Sequence, residues 1–466
     1  MNDDLCALGV SKLVELIAHR DVSPVEVCHA SIARLEATEP ELNSFISLDR
    51  DRVLADAGRL EAEASRGELR GPLHGVPVAI KDNIATRCER TTAGSRIYDA
   101  LRPDHDATVV TRLRAAGVLI FGKTNLPEFA YGPVDSYHFG PTRNPWDPSR
   151  FAGGSSMGSG AAVAAGVVPA ALGTDTTGSI RNPATWCGVV GLKPSYGLVP
   201  LRGVVPLATS LDHVGPLARS AEDCARILSV IAGVDHSDPT SAPYPNVNCV
   251  EMVDRSIAGL RVGVIRRLWD GLDAAIASPL NGALAALRHL GVELVDVDLP
   301  AWDEVVDASG VLVACEAAAE YSSILEAAEA EVLPEVRQRL RTGVATSASE
   351  YVWARRIVLE FRREYRLALR DVHLFAFPGH ERTAPRIDPT GRRLDPSTTL
   401  RFVVPMNVIG APALTMPAGF VEGLPISLQL AGGQGNDSLL VSVAHAYQQI
   451  TSWHQHRPAI GNRVKP

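Results

Sequence analysis

Short apolar segments alternate with helical segments along most of this 466-residue chain, and this alternation restricts the fold more than any other feature. Apolar runs at residues 76–80 and 118–121 enclose a helical pattern at 108–116. A second strand–helix–strand unit follows later, with strands at 261–265 and 293–297 and a helix near 274–290. Strands that are buried on both faces of a sheet are near-continuous apolar runs of this kind. The pattern predicts an α/β fold in which helices cover both faces of a sheet.

The same pattern predicts how the rest of the chain is organised. Helices are expected in the first 70 residues, and Ser23 followed by Pro24 is typical of a helix start. No internal repeat or long linker divides the chain, so one large domain over residues 1–466 is expected. The segment 303–371 is helical and charged, and we expect it to lie over one edge of the sheet. Further short strands are predicted at 374–377, 413–416 and 426–430.

Composition excludes several classes of function. The net charge of −8 provides no basic surface for nucleic acid or an anionic membrane. The seven cysteines are widely spaced and form no Cys-x-x-Cys pair, so neither a disulfide framework nor a zinc site is expected. No apolar run reaches the roughly 18 residues that span a bilayer, and the acidic start lacks a signal-peptide pattern. We expect a soluble, cytoplasmic protein without metal or cofactor.

One motif match is rejected on physical grounds. Residues 117–124 read Gly-Val-Leu-Ile-Phe-Gly-Lys-Thr and fit the phosphate-binding pattern GxxxxGK[ST]. A phosphate cradle needs a flexible loop after a strand and a helix after the lysine. Here the four intervening residues are themselves an apolar strand, and Pro127 follows soon after the lysine. We therefore expect Lys123 to be structural.

A segment rich in glycine and serine contains the first candidate site residues. Residues 153–160 read Gly-Gly-Ser-Ser-Met-Gly-Ser-Gly, a composition that flexible linkers share. However, this segment runs into a small-residue helix at 161–166, and a second serine-bearing turn follows around Ser179. Two such turns flanking one buried helix would bring hydroxyl groups together. Their backbone N–H groups would point into the same space, as an oxyanion hole requires.

A serine nucleophile also needs a base. The sequence has no GxSxG motif, and His74 and His213, which are near in sequence, are more typical of structural histidines. Lys81 is the alternative, because it ends the apolar run at 76–80 and burial would lower its pKa. A solvated lysine at a strand end is the competing interpretation.

Five sequence blocks together resemble the amidase signature family. They are Leu-His-Gly-Val-Pro-Val-Ala-Ile-Lys-Asp-Asn at 73–83, Gly-Gly-Ser-Ser-Met-Gly-Ser at 153–159, Gly-Thr-Asp-Thr-Thr-Gly-Ser-Ile-Arg at 173–181, Gly-Leu-Lys-Pro-Ser at 191–195 and Ser-Leu-Asp-His-Val-Gly-Pro at 210–216. The resemblance is dense over residues 70–220, which would form the catalytic core. It implies an α/β/α sandwich around a mixed sheet and an amidase that hydrolyses non-peptide carbon–nitrogen bonds without a cofactor. Many members are dimers, so a homodimer is compatible with it.

The resemblance also implies a Ser-Ser-Lys triad. Ser179 would be the nucleophile and Lys81 the general base. Ser155 would bridge them and would follow a cis peptide bond. The oxyanion would be held by backbone N–H groups, and two charged side chains would brace the loop. The implied donors are Thr176, Thr177, Gly178 and Ser179, and the implied bracing pair is Asp175 and Arg181.

Two residues depart from the family pattern, which usually has glycine at both positions. Thr177 need not abolish catalysis, because the oxyanion donors are backbone groups, but its side chain could narrow the acyl pocket. Met157 is either a packing residue or a functional one. Neither alternative is preferred from the sequence.

Three functions compete at this point. The leading hypothesis is a stand-alone hydrolase of a small carboxamide, or of a urea-type or aryl amide. The alternative is the glutamine-hydrolysing A subunit of a tRNA-dependent amidotransferase, which needs partner subunits. A catalytically inactive binding protein is the third, and the intact Lys81, Ser155 and Ser179 argue against it.

One aligned position allows a prediction about the substrate. In the amidotransferase relatives an acidic residue pairs with the α-ammonium of glutamine, shortly before a Pro-x-Asn-x-x-Gly-x-Pro strand. That strand corresponds to residues 405–412 here, and Leu400 occupies the acidic position. A buried ammonium without a counter-charge costs several kcal/mol, so we expect poor hydrolysis of glutamine and asparagine. Arg401 could meet a substrate carboxylate or be a solvated surface arginine.

Overall fold

An 11-stranded mixed sheet forms the centre of the computed structural model, which describes residues 2–132, 136–244, 248–387 and 400–461. The spatial order of the strands is β1-β3-β2-β4-β6-β5-β10-β11-β9-β7-β8. Their bounds are β1 Phe45–Ser47, β2 Pro77–Lys81, β3 Leu119–Thr124, β4 Ala170–Thr174, β5 Val190–Lys193, β6 Val214–Ala218, β7 Arg261–Ile265, β8 Glu293–Val297, β9 Leu374–Pro378, β10 Ala413–Val421 and β11 Leu424–Gly432. Strand β2 is parallel to β3 and β4, and β7 is parallel to β8 and β9. The other neighbours are antiparallel, which confirms the predicted mixed sheet.

Fifteen α-helices lie in the described part of the chain. They are α1 Asn2–Ala7, α2 Val10–His19, α3 Pro24–Leu42, α4 Arg50–Arg66, α5 Thr108–Ala115, α6 Met157–Ala164, α7 Arg181–Cys187, α8 Ala221–Ile231, α9 Ala274–His289, α10 Trp302–Glu320, α11 Ser322–Ala328, α12 Pro334–Ala345, α13 Ala348–Ala368, α14 Val404–Val408 and α15 Asp437–Ile450. The predicted helix start at Ser23 is confirmed, because its hydroxyl accepts the N–H of Glu26 and Pro24 is the first helical residue. None of these helices is long and apolar enough to cross a membrane.

The helices pack on both faces of the sheet, as the alternation of apolar segments predicts. Side chains alternate along each strand, so Val78 and Ile80 belong to the apolar cluster on one face and Ala79 to a cluster on the other. The first cluster is continuous and includes residues of α2, α5, α8, α9 and α15. On the second face, α3, α4, α6 and α7 cover one end of the sheet and α10, α12 and α13 cover the other. The architecture is an α/β/α sandwich.

The helical segment expected over an edge of the sheet lies instead on a face. Phe375 and Phe377 of β9 point into the cluster formed with α10, α12 and α13, whereas Leu374 and Ala376 point to the opposite face. The amphipathic helices bury their apolar stripes against this surface because a sheet face offers far more apolar area than an edge. This placement positions α10 and α12 above the strand ends that hold the candidate site.

Two local expectations can also be compared with the structure. The segment 405–412 is not a strand, since residues 404–408 form helix α14 and β10 begins only at Ala413. Pro405 lies in the first turn of α14, where its missing N–H removes no helical hydrogen bond. The rejected phosphate loop is confirmed as part of β3. The Lys123 ammonium is buried there and donates to the Ile84 carbonyl and the Thr91 hydroxyl, both at 2.7 Å.

Candidate active site

The parallel strands β2 and β4 end side by side and bring the candidate residues together. Lys81 is the last residue of β2, and Thr174 is the last residue of β4. Helix α6 starts two residues after Ser155, earlier than the predicted 161–166, and the turn that holds Ser179 leads into α7. The sequence therefore places one lysine and two serine-bearing turns at the same edge of the sheet, with α6 packed beneath them.

The Lys81 ammonium is buried in a small polar pocket. Its Nζ atom lies 2.7 Å from the Ser155 hydroxyl and 2.7 Å from the Thr174 hydroxyl. Burial lowers the pKa of Lys81 from its ordinary 10.5 to about 7, although the carboxylates of Asp175 and Asp212 partly oppose the shift. At neutral pH about half of the Lys81 side chains are neutral, which a general base requires.

Backbone contacts join the two serine-bearing turns. The peptide bond between Gly154 and Ser155 is cis, as the family resemblance implies. The N–H of Ser156 donates to the carbonyl of Ser179 over 3.1 Å, and its hydroxyl donates to the carbonyl of Thr174 over 3.1 Å. Ser179 is 8% exposed, compared with 2% for Ser155 and none for Lys81. The accessible member of the three is thus the one expected to meet a substrate.

The oxyanion donors differ in one respect from the expectation. The N–H of Gly178 donates to the Asp175 carboxylate at 2.6 Å, so this group is already engaged. The N–H groups of Thr176, Thr177 and Ser179 have no acceptor within the described part of the chain. Gly178 itself has a φ of 108°, and a Cβ atom there would lie 2.4 Å from the Val403 side chain. Glycine is therefore required at this position by both its conformation and its neighbour.

A buried ion pair underlies the loop. The Arg181 guanidinium lies 3.0 Å from the Asp175 carboxylate and also donates to the Val403 carbonyl and to the side chains of Asn407 and Gln429. Burial alone would raise the pKa of Asp175, but Arg181 holds it below the ordinary range. These contacts tie the nucleophile loop to α14 and β11.

A cavity of about 270 Å³ opens beside the loop at Thr177. Leu207 and residues of α10 and α12 form most of its wall, and Leu400 contributes an apolar side chain. Among the described residues, its lining consists of Ala130, Tyr131, Gly132, Thr177, Leu207, Ser309, Gly310, Val313, Ala314, Arg339, Thr342 and Leu400. No carboxylate lines the cavity among the residues for which the structure gives a position. The cavity is the candidate acyl pocket, and Thr177 is part of its lining.

Three further residues can be assigned a place. Arg401 lies 3.1 Å from the Asp303 carboxylate on a partly exposed surface, which agrees with the surface interpretation. Met157 is buried in the apolar cluster beneath α6 and α7, so it is a packing residue. The His213 ring contacts the backbone carbonyl of Leu211 at 2.6 Å and lies 3.1 Å from Lys193, and no hydrogen bond among the described residues joins it to Ser179.

Sequence reasoning missed the roles of Thr174, Asp212 and Asn407. Thr174 is a partner of Lys81, Asp212 accepts the Thr176 hydroxyl, and Asn407 bonds both members of the buried ion pair. Asp212 lies in one of the five blocks, and Asn407 lies in the segment used to align Leu400. Their presence in these motifs indicated that the residues matter. Their partners could not be predicted, because they lie in chain segments that are distant in sequence.

Comparison with known proteins agrees with the geometry. The family model of Amidase matches residues 26–441. The chain is 39% identical to the A subunit of glutamyl-tRNA(Gln) amidotransferase from Chloroflexus aurantiacus, over 98% of this chain and 99% of that protein. The fold is similar to that of a vestigial protein complex that reveals the evolutionary origins of an s-triazine catabolic enzyme. The TM-score is 0.88 with 34% identity, over 95% of this chain and 98% of that chain.

A bacterial aryl acylamidase of the amidase signature family gives a TM-score of 0.89 with 25% identity, over 98% of this chain and 99% of that chain. These likenesses define the class of the protein, an enzyme that hydrolyses carbon–nitrogen bonds in amides. The chain belongs to the Amidase family of amidase signature enzymes. Within the described ranges, no three His, Cys, Asp or Glu side chains are grouped so that they could hold a metal ion.

Proposed function

We propose that the chain hydrolyses a carboxamide through an acyl-enzyme formed on Ser179. The observation that supports this most directly is the 2.7 Å contact between a buried lysine, Lys81, and the hydroxyl of Ser155, with the lysine pKa at about 7. Neutral Lys81 takes the Ser155 proton as Ser155 takes the proton of Ser179, and the Ser179 oxygen attacks the carbonyl carbon. The N–H groups of Thr176, Thr177 and Ser179 bind the oxyanion.

The second half of the reaction reverses the proton movements. The ammonium of Lys81 returns a proton through Ser155 to the leaving nitrogen as the carbon–nitrogen bond breaks, which leaves an ester on Ser179. Water then attacks the ester carbonyl and loses a proton to the same relay. The bond between the Ser179 oxygen and the acyl carbon breaks, the relay returns the proton to Ser179, and the carboxylic acid leaves. Lys81 is neutral again at the end of the cycle, and no cofactor takes part in these steps.

The acyl group of the substrate is proposed to be apolar and to lack an α-ammonium. This proposal is supported by the cavity beside Thr177, where Leu400 lies in the wall and the described lining has no carboxylate. A free amino acid would bring a positive charge to that wall without a partner, at a cost of several kcal/mol. Simple aliphatic or aryl carboxamides would bind without this cost.

A glutamine-hydrolysing subunit of a tRNA-dependent amidotransferase is the second candidate. It is supported by the 39% identity to such a subunit over 98% of this chain. The curated relatives favour this candidate over the stand-alone hydrolase, whereas the cavity wall favours the stand-alone hydrolase. If the second candidate is correct, the chain would hydrolyse glutamine rather than simple carboxamides, and would need partner subunits for the amidotransferase reaction as a whole.

The two candidates are separated by ammonium release from the purified chain. We expect turnover of butyramide or benzamide and little turnover of L-glutamine, with Ser179→Ala as the inactive control. Efficient hydrolysis of L-glutamine by the isolated chain, with KM in the micromolar range, would favour the second candidate. Light scattering on the same sample tests the proposed homodimer by its mass. No release from any of these amides would argue against a stand-alone hydrolase.

A further inference from the structure

The ladder between β4 and β6 ends just before the oxyanion donors. Thr174 pairs with Val214, and Asp175 and His213 then exchange two backbone hydrogen bonds of 2.9 and 3.1 Å. At Thr176 the backbone pairing stops, and its N–H has no acceptor in the part of the chain that the structure describes. An unpaired N–H at this point is useful only if something else holds the backbone in place.

Where the backbone ladder ends, the carboxylate of Asp212 accepts hydrogen bonds that hold the chain in its place. The Thr176 hydroxyl donates to Asp212 Oδ1 over 2.5 Å. The other oxygen, Oδ2, accepts the N–H groups of Leu207 at 2.9 Å and Ala208 at 3.2 Å. Asp212 is only 6% exposed, so these bonds form in a largely dry environment where they restrict motion effectively.

The two groups that Asp212 holds both lie next to the candidate acyl pocket. Thr176 directly precedes Thr177, which lines the cavity, and Leu207 lines the cavity as well. One carboxylate therefore sets the distance between the oxyanion donors and the wall that confines the acyl group. A shift of about 1 Å in such a loop can cost about 10²-fold in rate.

We propose that Asp212 is a positioning residue that fixes the oxyanion loop through the Thr176 side chain, leaving the backbone N–H groups of Thr176 and Thr177 unpaired for the transition state. The proposal rests on the proposed function, in which those N–H groups bind the oxyanion. In this arrangement the Thr176 hydroxyl anchors the loop, while the Thr176 backbone N–H remains unpaired among the described residues. Asp212 does not touch the substrate in this arrangement.

The test uses two single variants and their combination. Asp212→Ala removes the acceptor, Thr176→Val removes the donor hydroxyl with little change of shape, and both are joined in a double variant. The probe is p-nitrophenyl butyrate, an activated ester whose carbonyl needs the same oxyanion donors as an amide. Rates are measured at pH 8.5, where Lys81 is largely neutral, so that loss of the nearby Asp212 charge does not alter the protonation of the base.

Asp238 provides a matched control. Asp238 is also 6% exposed, and its carboxylate accepts the backbone N–H groups of Arg202 and Thr240, but no hydrogen bond among the described residues joins it to the nucleophile loop. Asp238→Ala should therefore lower the unfolding midpoint while kcat stays within about twofold of the parent. Asp212→Ala and Thr176→Val should each lower kcat by about 10- to 100-fold, with KM changed less than about twofold. The double variant should be no worse than the less active single variant, because both changes remove one interaction.

Three results would overturn the inference. The first is a parental kcat in Thr176→Val. The second is a rise in KM with no change in kcat in the single variants. The third is a double variant whose loss of kcat equals the product of the two single losses. If Asp212→Ala does not fold, Thr176→Val alone decides. Ser179→Ala keeps the proposed function separate: if it still releases p-nitrophenolate at the parental rate, the nucleophile assignment has failed. If Ser179→Ala is inactive while Thr176→Val is fully active, only the present inference has failed.

Discussion

The protonation of Lys81 gives the sharpest test of the mechanism. With a pKa of about 7, the neutral fraction of Lys81 rises from about one tenth at pH 6 to nearly all at pH 8.5. We therefore expect kcat/KM to rise about tenfold over this range and to level off above about pH 8. A lysine with its ordinary pKa of 10.5 would instead give about a 300-fold rise with no plateau in the same range.

The assay is kcat/KM for a neutral amide such as benzamide between pH 5.5 and 9.5 at constant ionic strength. Asp212, a second buried titratable group, needs a control. Burial raises its pKa to about 6, so its titration could produce a similar rising limb in the plot of kcat/KM against pH. The Asp212 carboxylate also favours the charged form of Lys81. In Asp212→Asn the limb should consequently move to lower pH. Disappearance of the limb in that variant would assign it to Asp212 and refute the lysine mechanism.

The same shift has a consequence for stability, with a definite sign. The folded-state pKa of Lys81 is depressed, so the folded chain binds fewer protons than the unfolded chain between about pH 7 and 10.5. The stability of the folded chain therefore rises with pH in this range. The contribution of neutral Lys81 to stability is fully present above about pH 10.5 and is lost as the pH falls to about 7. A shift of this size lowers the free energy of unfolding by about 5 kcal/mol well below pH 7, and by about 4 kcal/mol at pH 7, relative to a chain whose Lys81 stays neutral.

Lys81→Met removes this penalty together with two hydrogen bonds, each worth about 1 kcal/mol. The inactive variant should thus be more stable than the parent by about 2 kcal/mol at pH 7. Urea denaturation at pH 7 and pH 10 measures the difference, which should change sign, because at pH 10 the penalty is only about 1 kcal/mol and the lost hydrogen bonds outweigh it. A variant that is less stable than the parent by the same amount at both pH values would contradict the depressed pKa.

The remaining predictions concern the triad, cofactors and substrate. Ser179→Ala and Lys81→Ala should each lower kcat by at least about 10³-fold, and the double variant should be no worse, because the groups act as a unit; Ser155→Ala should also lower kcat, by less. Near-normal turnover in Lys81→Ala would exclude the mechanism. Activity should persist in EDTA and without ATP, and a loss in EDTA that a divalent metal restores would show that a metal is needed. Leu400→Asp should lower KM for L-glutamine and raise KM for benzamide, since it adds a counter-charge to the cavity wall; an unchanged ratio of the two would argue against the position of Leu400 in the substrate pocket.

Local signals in the sequence were sufficient for most elements of the fold. The strands predicted at 261–265 and 293–297 match β7 and β8 residue for residue. Strand β7 is largely buried and mostly apolar, whereas β8 is the partly exposed edge strand and contains two acidic residues. The prediction for 405–412 was wrong. It transferred a strand from the amidotransferase relatives, whereas residues 404–408 form helix α14 with Pro405 in its first turn.

The candidate site was predictable only in part. The two serine-bearing turns were expected to meet because they flank one buried helix, and Lys81 was a candidate because it ends an apolar run. The parallel pairing of β2 and β4, which brings them to one edge of the sheet, is seen only in the structure. The engagement of the Gly178 N–H by Asp175 and the bond between Thr176 and Asp212 could not be read from any periodic pattern. Both depend on the three-dimensional path of loops, which apolar spacing does not specify.

The buried guanidinium of Arg181 also has a consequence for how the enzyme is made. All three triad residues have been synthesised by residue 179, yet the loop that carries the nucleophile is held by Asn407, Gln429 and the Val403 carbonyl. A nascent chain that stops before these residues has every catalytic side chain and no anchor for the loop. Hydrolytic activity should thus arise only after the last strands have been translated and have inserted into the sheet. Fragments released early by the ribosome should be inert toward the amides of the cell.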